Sequence, residues 1–269
     1  MLKEIRCPIC GKTKEPTWDH IPPKCCNNYG DVSFFTYTPE YVAKSLGYIP
    51  KNKSYQNGLK FRFVCRECNS KIGAYYDNEI KKIYEYILNV IKGDIVCTSG
   101  YIDKVALGII SHMLASSCYT NYKCDEDARN FINNPHKNMV EFANKYSLFI
   151  SFYPYKDNIV VARDFSKNGI HDSDFPNEMM SILYFYPLAF ILTNKQKSNK
   201  MTDLLEVVMK RESKIIGRVD QWTNHKRQLL SPFYPLDLKD GFVVMTIPHM
   251  QNAVIASKNR TDPYIHLND

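Results

Sequence analysis

The sequence predicts an α+β protein: a small metal-framed module at the N-terminal end, then a larger region of mixed helices and strands. Three observations point there. Two Cys-x-x-Cys pairs, Cys7/Cys10 and Cys65/Cys68, bracket a stretch of turn-rich and extended sequence. Lys60-Phe61-Arg62-Phe63-Val64 alternates polar and apolar as a strand does, and helical periodicity follows at Ile80, Ile83, Ile87 and Val90/Ile91. Beyond residue 100, apolar residues repeat at helical spacing in some segments and run as β-type stretches in others.

In chain order, CPICGK (7–12) reads as a tight knuckle closed by Gly11. A short extended piece then ends at Trp18-Asp19-His20-Ile21, where Pro22 and Pro23 stop regular structure. Residues 24–59 are rich in Asn, Tyr and Gly and read as an insert, with one short helix expected near Pro39–Leu46. The 60–64 strand turns at Cys65 into a helix that Gly93 ends. Residues 102–118 read as a buried helix, with Val105, Ile109, Met113 and Leu114 in phase. Residues 125–146 read as shorter helices broken at Asn133-Asn134-Pro135. Strands are expected at 148–152 and 159–161 around a Tyr-Lys-Asp-Asn turn, and at 181–193 and 242–247, with a helix over 202–212. The cluster of Gly93, Ser99 and Gly100 suggests a boundary, giving a first domain over 1–95 with its insert at 24–59 and a second over 100–269.

Composition narrows the function. The chain has 269 residues, with 35 Lys+Arg against 28 Asp+Glu, 19 Tyr and 14 Phe. It can build a core, which excludes disordered and collagen-like classes. Of the +7 net charge, +5 falls in the first 100 residues, so a polyanion partner is compatible with that part. The longest apolar run, Ile182 to Leu192, is 11 residues and contains Pro187, too short for a bilayer span, which needs about 20. The opening MLKEIRCPIC has charges and no apolar segment, so a cytoplasmic protein without a secretory signal is expected. Nine cysteines then suit metal ligation better than a disulfide framework.

A Cys-x-x-Cys turn lets both thiolates face one ion, and two such turns complete a tetrahedral zinc site. The second pair opens a helix, whose amides and dipole favour thiolate. With all four positions filled by Cys7, Cys10, Cys65 and Cys68, the zinc is expected to be structural. Four buried free thiols are the plainer alternative. Cys25 and Cys26 are adjacent and poorly placed to share one ion, so they are read as non-ligands.

CPICGK (7–12), WDHIPPK (18–24) and VCRECNSKIG (64–73), in that order, resemble the HNH (ββα-metal) nucleases, most closely the variant whose hairpin and helix are held by a four-cysteine zinc. The likeness covers about residues 5–92 and implies a treble-clef-like module. It implies an endonuclease hydrolysing DNA, or RNA, with His20 as general base and Asp19 and Asn69 holding Mg²⁺ or another divalent ion. It also implies a role in defence, restriction or a mobile element. An imidazole suits base catalysis near neutral pH. Each residue has a simpler reading beside this one: Asp19 capping a turn, His20 an ordinary surface histidine, Asn69 an N-cap. Adjacent residues on a regular strand face opposite sides, so a bend or bulge is expected near Asp19-His20.

Two departures stand out. The helix carries no further family-type ligand but offers Asp77 and Glu79, read as exposed carboxylates, with Asp77 a candidate brace through a water or Lys71. The insert is long and mixes Lys24, Lys44, Lys51, Lys53 and Lys60 with aromatic residues, a composition that suits either a phosphate track or a solvated loop. In residues 100–269, His112 reads as an ordinary residue of its helix. The basic run from Lys195 to Arg227 reads as a solvated face or a phosphate contact. Double-strand cutting by such a nuclease would call for a homodimer or two visits, and two rivals stand beside it: a zinc-framed nucleic-acid-binding module that does not cut, and an effector subunit activated by a protein partner.

Overall fold

The computed structural model describes residues 4–36, 53–92, 101–153, 155–163, 179–198, 201–210 and 254–257. The knuckle is a two-stranded hairpin, β1 (Ile5–Arg6) and β2 (Thr13–Lys14). Gly11 turns it at φ +70°, and its N–H donates to the Cys7 carbonyl at 2.9 Å. β3 (Pro16–His20) then pairs antiparallel with β6 (Lys60–Cys65). Cys65 is the N-cap of α1 (Arg66–Ile72), so the second cysteine pair spans the strand-to-helix corner. This hairpin and helix, framed by the four cysteines, make up the small module within an α+β fold.

The helix does not end at Ile72. A π-helical segment, Gly73–Asp77, carries it into α2 (Asn78–Lys92), whose buried stripe is Ile80, Ile83, Tyr84 and Ile87. The wider turn shifts every later residue relative to a uniform helix, including Asp77.

The centre of the molecule is α3 (Ile102–Ala115). Residues 105–115 are all buried, as expected for a helix apolar on every side. α3 packs against the π-helical segment, α2, β6, α4 (Lys123–Asn133), β9 (Met179–Phe185) and α6 (Leu204–Met209). It therefore lies between the cysteine-framed module and the main sheet. Its close approach to the first module depends on Gly108, where a Cβ would meet Tyr76 Cβ and Ile80 Cδ1, each at 2.8 Å. α5 (Pro135–Lys145) follows α4 with proline in its first turn, and Phe131 stacks on Phe142 between the two helices.

Among the described residues the main sheet has eight antiparallel strands, in the order β11-β7-β10-β9-β8-β12-β4-β5. The remaining members are β7 (Tyr146–Phe152), β8 (Asn158–Arg163), β10 (Leu188–Asn194), β11 (Thr202–Asp203), β12 (Val254–Ser257), β4 (Val32–Thr36) and β5 (Lys53–Tyr55). Inside this layer, Arg163 forms a buried ion pair with Asp125 and donates to the Met113 carbonyl at 2.8 Å, tying β8 to α4 and to the end of α3.

Several expectations need correction. Among the described residues of the insert, two strands belong to the main sheet and not to the first module: β4 pairs with β12, more than 200 residues later in sequence, and β5 pairs with β4. The stretch 181–193 is two strands, not one, because Tyr186-Pro187 turns the chain into the β9–β10 hairpin. β7 and β8 flank the expected turn but do not pair; β10 and β9 lie between them. The helix expected over 202–212 is shorter, Leu204–Met209. The helix near Pro39–Leu46, the boundary at 93–100 and the strand at 242–247 lie outside the described residues.

Candidate functional site

The four ligand sulfurs, from Cys7, Cys10, Cys65 and Cys68, all lie within 4.8 Å of one another, and Cys10 Sγ is 3.9 Å from Cys65 Sγ. Four sulfurs bonded tetrahedrally at about 2.3 Å from zinc stand about 3.8 Å apart. The cluster therefore fits a metal ion such as zinc. The neighbouring Cys68 and nearby backbone donors pull the Cys7 thiol down to about 4 against the effect of burial, and Cys7 in turn pushes Cys68 up. Burial raises Cys10. A shared cation relieves such crowding of thiols, because ligation replaces their protons. The knuckle is braced from outside: Asn133 on α4 donates to the Ile9 carbonyl at 3.1 Å. Arg6 and Arg129 both lie over the Tyr119 ring, at 3.8 and 4.2 Å.

Asp19 and His20 end β3. The register slips between Thr17 and Asp19, so that Arg62 and Phe63 of β6 stand opposite Trp18 alone. The ladder is thus irregular next to Asp19-His20, but the extra residue belongs to β6 and not to the strand that carries them. After it, Asp19 turns inward and is 5 % exposed, while His20 stays half-buried and Trp18 is 48 % exposed. Asn69 comes from the first turns of α1. Its side-chain amide donates to the Trp18 carbonyl at 2.8 Å, which ties the helix to the strand one residue from Asp19. With Nδ2 used in this way, the Asn69 side chain keeps its oxygen as a donor atom for a ligand. An anionic carboxylate and a neutral amide oxygen form the donor chemistry that a hard divalent cation takes.

His20 is held by the turn before β6. Its Nε2 lies 2.9 Å from the Asn57 carbonyl. A carbonyl can only accept, so Nε2 carries the hydrogen, and Nδ1 of the neutral ring keeps its lone pair. The turn is built for this. Asn57 (φ +64°) and Gly58 (φ +82°) are both left-handed, and a Cβ at Gly58 would collide with the Asn28 backbone. Buried Asn28 locks the turn to the strand end, donating to the Pro22 and Leu59 carbonyls and accepting from the Leu59 N–H at 2.7 Å. Burial lowers the His20 pKa below its ordinary value, and the charges of Lys60 and Lys24 lower it further. The imidazole is therefore neutral at pH 7.

The helix carboxylates are not the exposed groups that were expected. Glu79 is buried, accepts from the Tyr101 N–H at 3.0 Å and pairs with Lys82, pinning the start of α3. Asp77 accepts from His112 Nε2 at 2.9 Å. On the other side of that fully buried ring, Nδ1 is 3.5 Å from Asp19 Oδ2, within ion-pair range but long for a hydrogen bond. Burial alone would lower the His112 pKa, but hydrogen bonds and charge from Asp19 and Asp77 outweigh it and raise it to about 10. Sequence reasoning treated His112 as an ordinary helix residue. The available signal was a single imidazole in the last turn of a helix apolar on all sides, since a buried polar group needs a partner.

Comparison with family models, curated proteins and solved structures found no match. Among the described residues, no helix is long and apolar enough to cross a membrane.

Proposed function

We propose that the chain is a metal-dependent endonuclease of the HNH type that hydrolyses phosphodiester bonds in DNA. In this reading Cys7, Cys10, Cys65 and Cys68 hold a structural zinc, Asp19 and Asn69 hold a divalent cation such as Mg²⁺, and His20 is the general base. The observation that carries the reading is that Asp19 and His20 end β3 while the Asn69 amide, from α1, bonds to the carbonyl of the residue just before them, with the four thiols at the corner from which α1 starts.

Each side chain has a task its surroundings suit. His20 removes a proton from the attacking water at Nδ1, because Nε2–H is committed to the Asn57 carbonyl. Its lowered pKa keeps it in the proton-accepting form at neutral pH. Lys60 stands opposite His20 in the hairpin register, and Lys24 is close enough to bear on its charge, so cationic side chains flank the place a phosphate would occupy. The divalent cation, when bound, supplies positive charge against the phosphate and the leaving oxygen. Alternation along β3 turns Asp19 inward and His20, half-buried, to the opposite side.

A second reading, a zinc-framed nucleic-acid-binding module that does not cut, draws on the burial of Asp19 against His112, which by itself is also a structural role. Plasmid DNA incubated with Mg²⁺ separates the two. Nicking or linearisation by wild type and its loss in His20→Ala, with zinc retained, supports the nuclease. DNA binding with no cleavage in Mg²⁺, Mn²⁺ or Ni²⁺ supports the module.

A further inference from the structure

His112 belongs to α3, outside the hairpin-and-helix module, yet both of its ring nitrogens face carboxylates of that module. The other buried polar residue beside it, Ser111, is satisfied within its own helix by the Leu107 carbonyl at 2.7 Å, so α3 needs no outside partner there. His112 instead links two separate elements, the end of the π-helical segment at Asp77 and the end of β3 at Asp19. Burying an imidazole completely is costly, and an apolar side chain would fill the same core position without that cost. The approach is also prepared: Gly108, one turn earlier on the same face, lets α3 come close enough for the ring to reach Asp77.

We propose that His112 is a positioning residue for the divalent-cation site: Asp77 fixes the ring through Nε2, so that Nδ1 faces Oδ2 of Asp19 at ion-pair distance, 3.5 Å, and leaves the other carboxylate oxygen for the ion. This rests on the reading of Asp19 as an ion ligand. Carboxylates that hold metals are commonly oriented by such outer hydrogen-bonding partners, and loss of one typically costs about 10–100-fold in metal affinity or activity. The region after residue 100 thus supplies part of the site, and the first module alone lacks it.

The test is Mn²⁺ affinity of the zinc-loaded full-length protein, read from the EPR signal of free Mn²⁺, alongside plasmid cleavage. Asp19→Asn serves as the variant that removes the site. His112→Asn keeps an amide donor near the Nδ1 position, whereas His112→Gln keeps one near Nε2. The proposal expects His112→Gln to bind Mn²⁺ about 10–100-fold more weakly than wild type, His112→Asn to recover part of that loss, and thermal unfolding to show both folded. If His112→Gln fails to fold, Asp77→Asn replaces it, since that half-exposed side chain lies at the far end of the link, and the same weakening is expected. Unchanged Mn²⁺ affinity in a folded His112→Gln or Asp77→Asn protein overturns the proposal, as does a wild type whose Mn²⁺ binding is insensitive to Asp19→Asn. The nuclease reading fails separately, if wild type binds Mn²⁺ through Asp19 but cuts no DNA.

Discussion

Replacing Gly108 with alanine puts a methyl group where the structure leaves no room. The added Cβ would lie 2.8 Å from Tyr76 Cβ and from Ile80 Cδ1. Carbon atoms prefer about 3.5–4.0 Å, so the gap is short by about 0.7 Å. The Ile80 terminus can rotate away, but Tyr76 Cβ is fixed to the backbone of the π-helical segment, so α3 must shift. Overpacking of this kind costs about 1–3 kcal/mol, while alanine in a helix interior gains about 1 kcal/mol over glycine. The net expectation is a loss of about 1 kcal/mol, or a fall of roughly 2–4 °C in Tm for a chain of this size. The same shift would open the His112–Asp77 contact from 2.9 Å to about 3.6 Å, beyond hydrogen-bonding range. Thermal and urea unfolding of the full-length protein give the answer by sign. An equal or higher Tm would mean that propensity decides at this position and that the close approach of α3 is not tight.

Further expectations follow from the metal cluster and the two histidines. Wild-type protein should carry about one zinc per chain by elemental analysis, and Cys68→Ala should lose both the metal and the cooperative unfolding of the first module; zinc-free protein with unchanged stability would contradict the structural role. The His112 pKa is raised in the folded state, so its stabilising effect is complete below about 6.5 and is lost as pH rises towards 10. Unfolding free energy should therefore fall over that window by at most about 1.4 kcal/mol per pH unit from this group, and His112→Gln should flatten the fall. His20 is shifted the other way, so the acidic limb of the cleavage-rate profile should have its midpoint below the usual imidazole value of about 6.5; a midpoint well above it would remove His20 as the base.

The four-cysteine cluster was legible because its chemistry is local, each pair sitting on one turn. β6, α2 and α3 were legible from the period of their apolar residues, and the α4–α5 break from Pro135. What escaped depends on partners far away in sequence. β5 is three residues long and β4 finds its neighbour in β12, so neither shows its pairing in its own pattern. The β9–β10 hairpin hid within a continuous apolar run, although Pro187 marked its turn. His112 looked ordinary because its two carboxylates come from other elements. Folding brought these together through Gly108, whose role is visible only in the space it leaves.

The most direct test of the proposed activity is the single-turnover rate of plasmid cleavage by zinc-loaded, full-length protein in Mg²⁺, wild type against His20→Ala. General-base removal predicts a loss of about 10²–10⁴-fold with fold and zinc content unchanged. Equal rates in the two proteins would contradict the assignment of His20, and with it the hairpin end as the place where chemistry occurs.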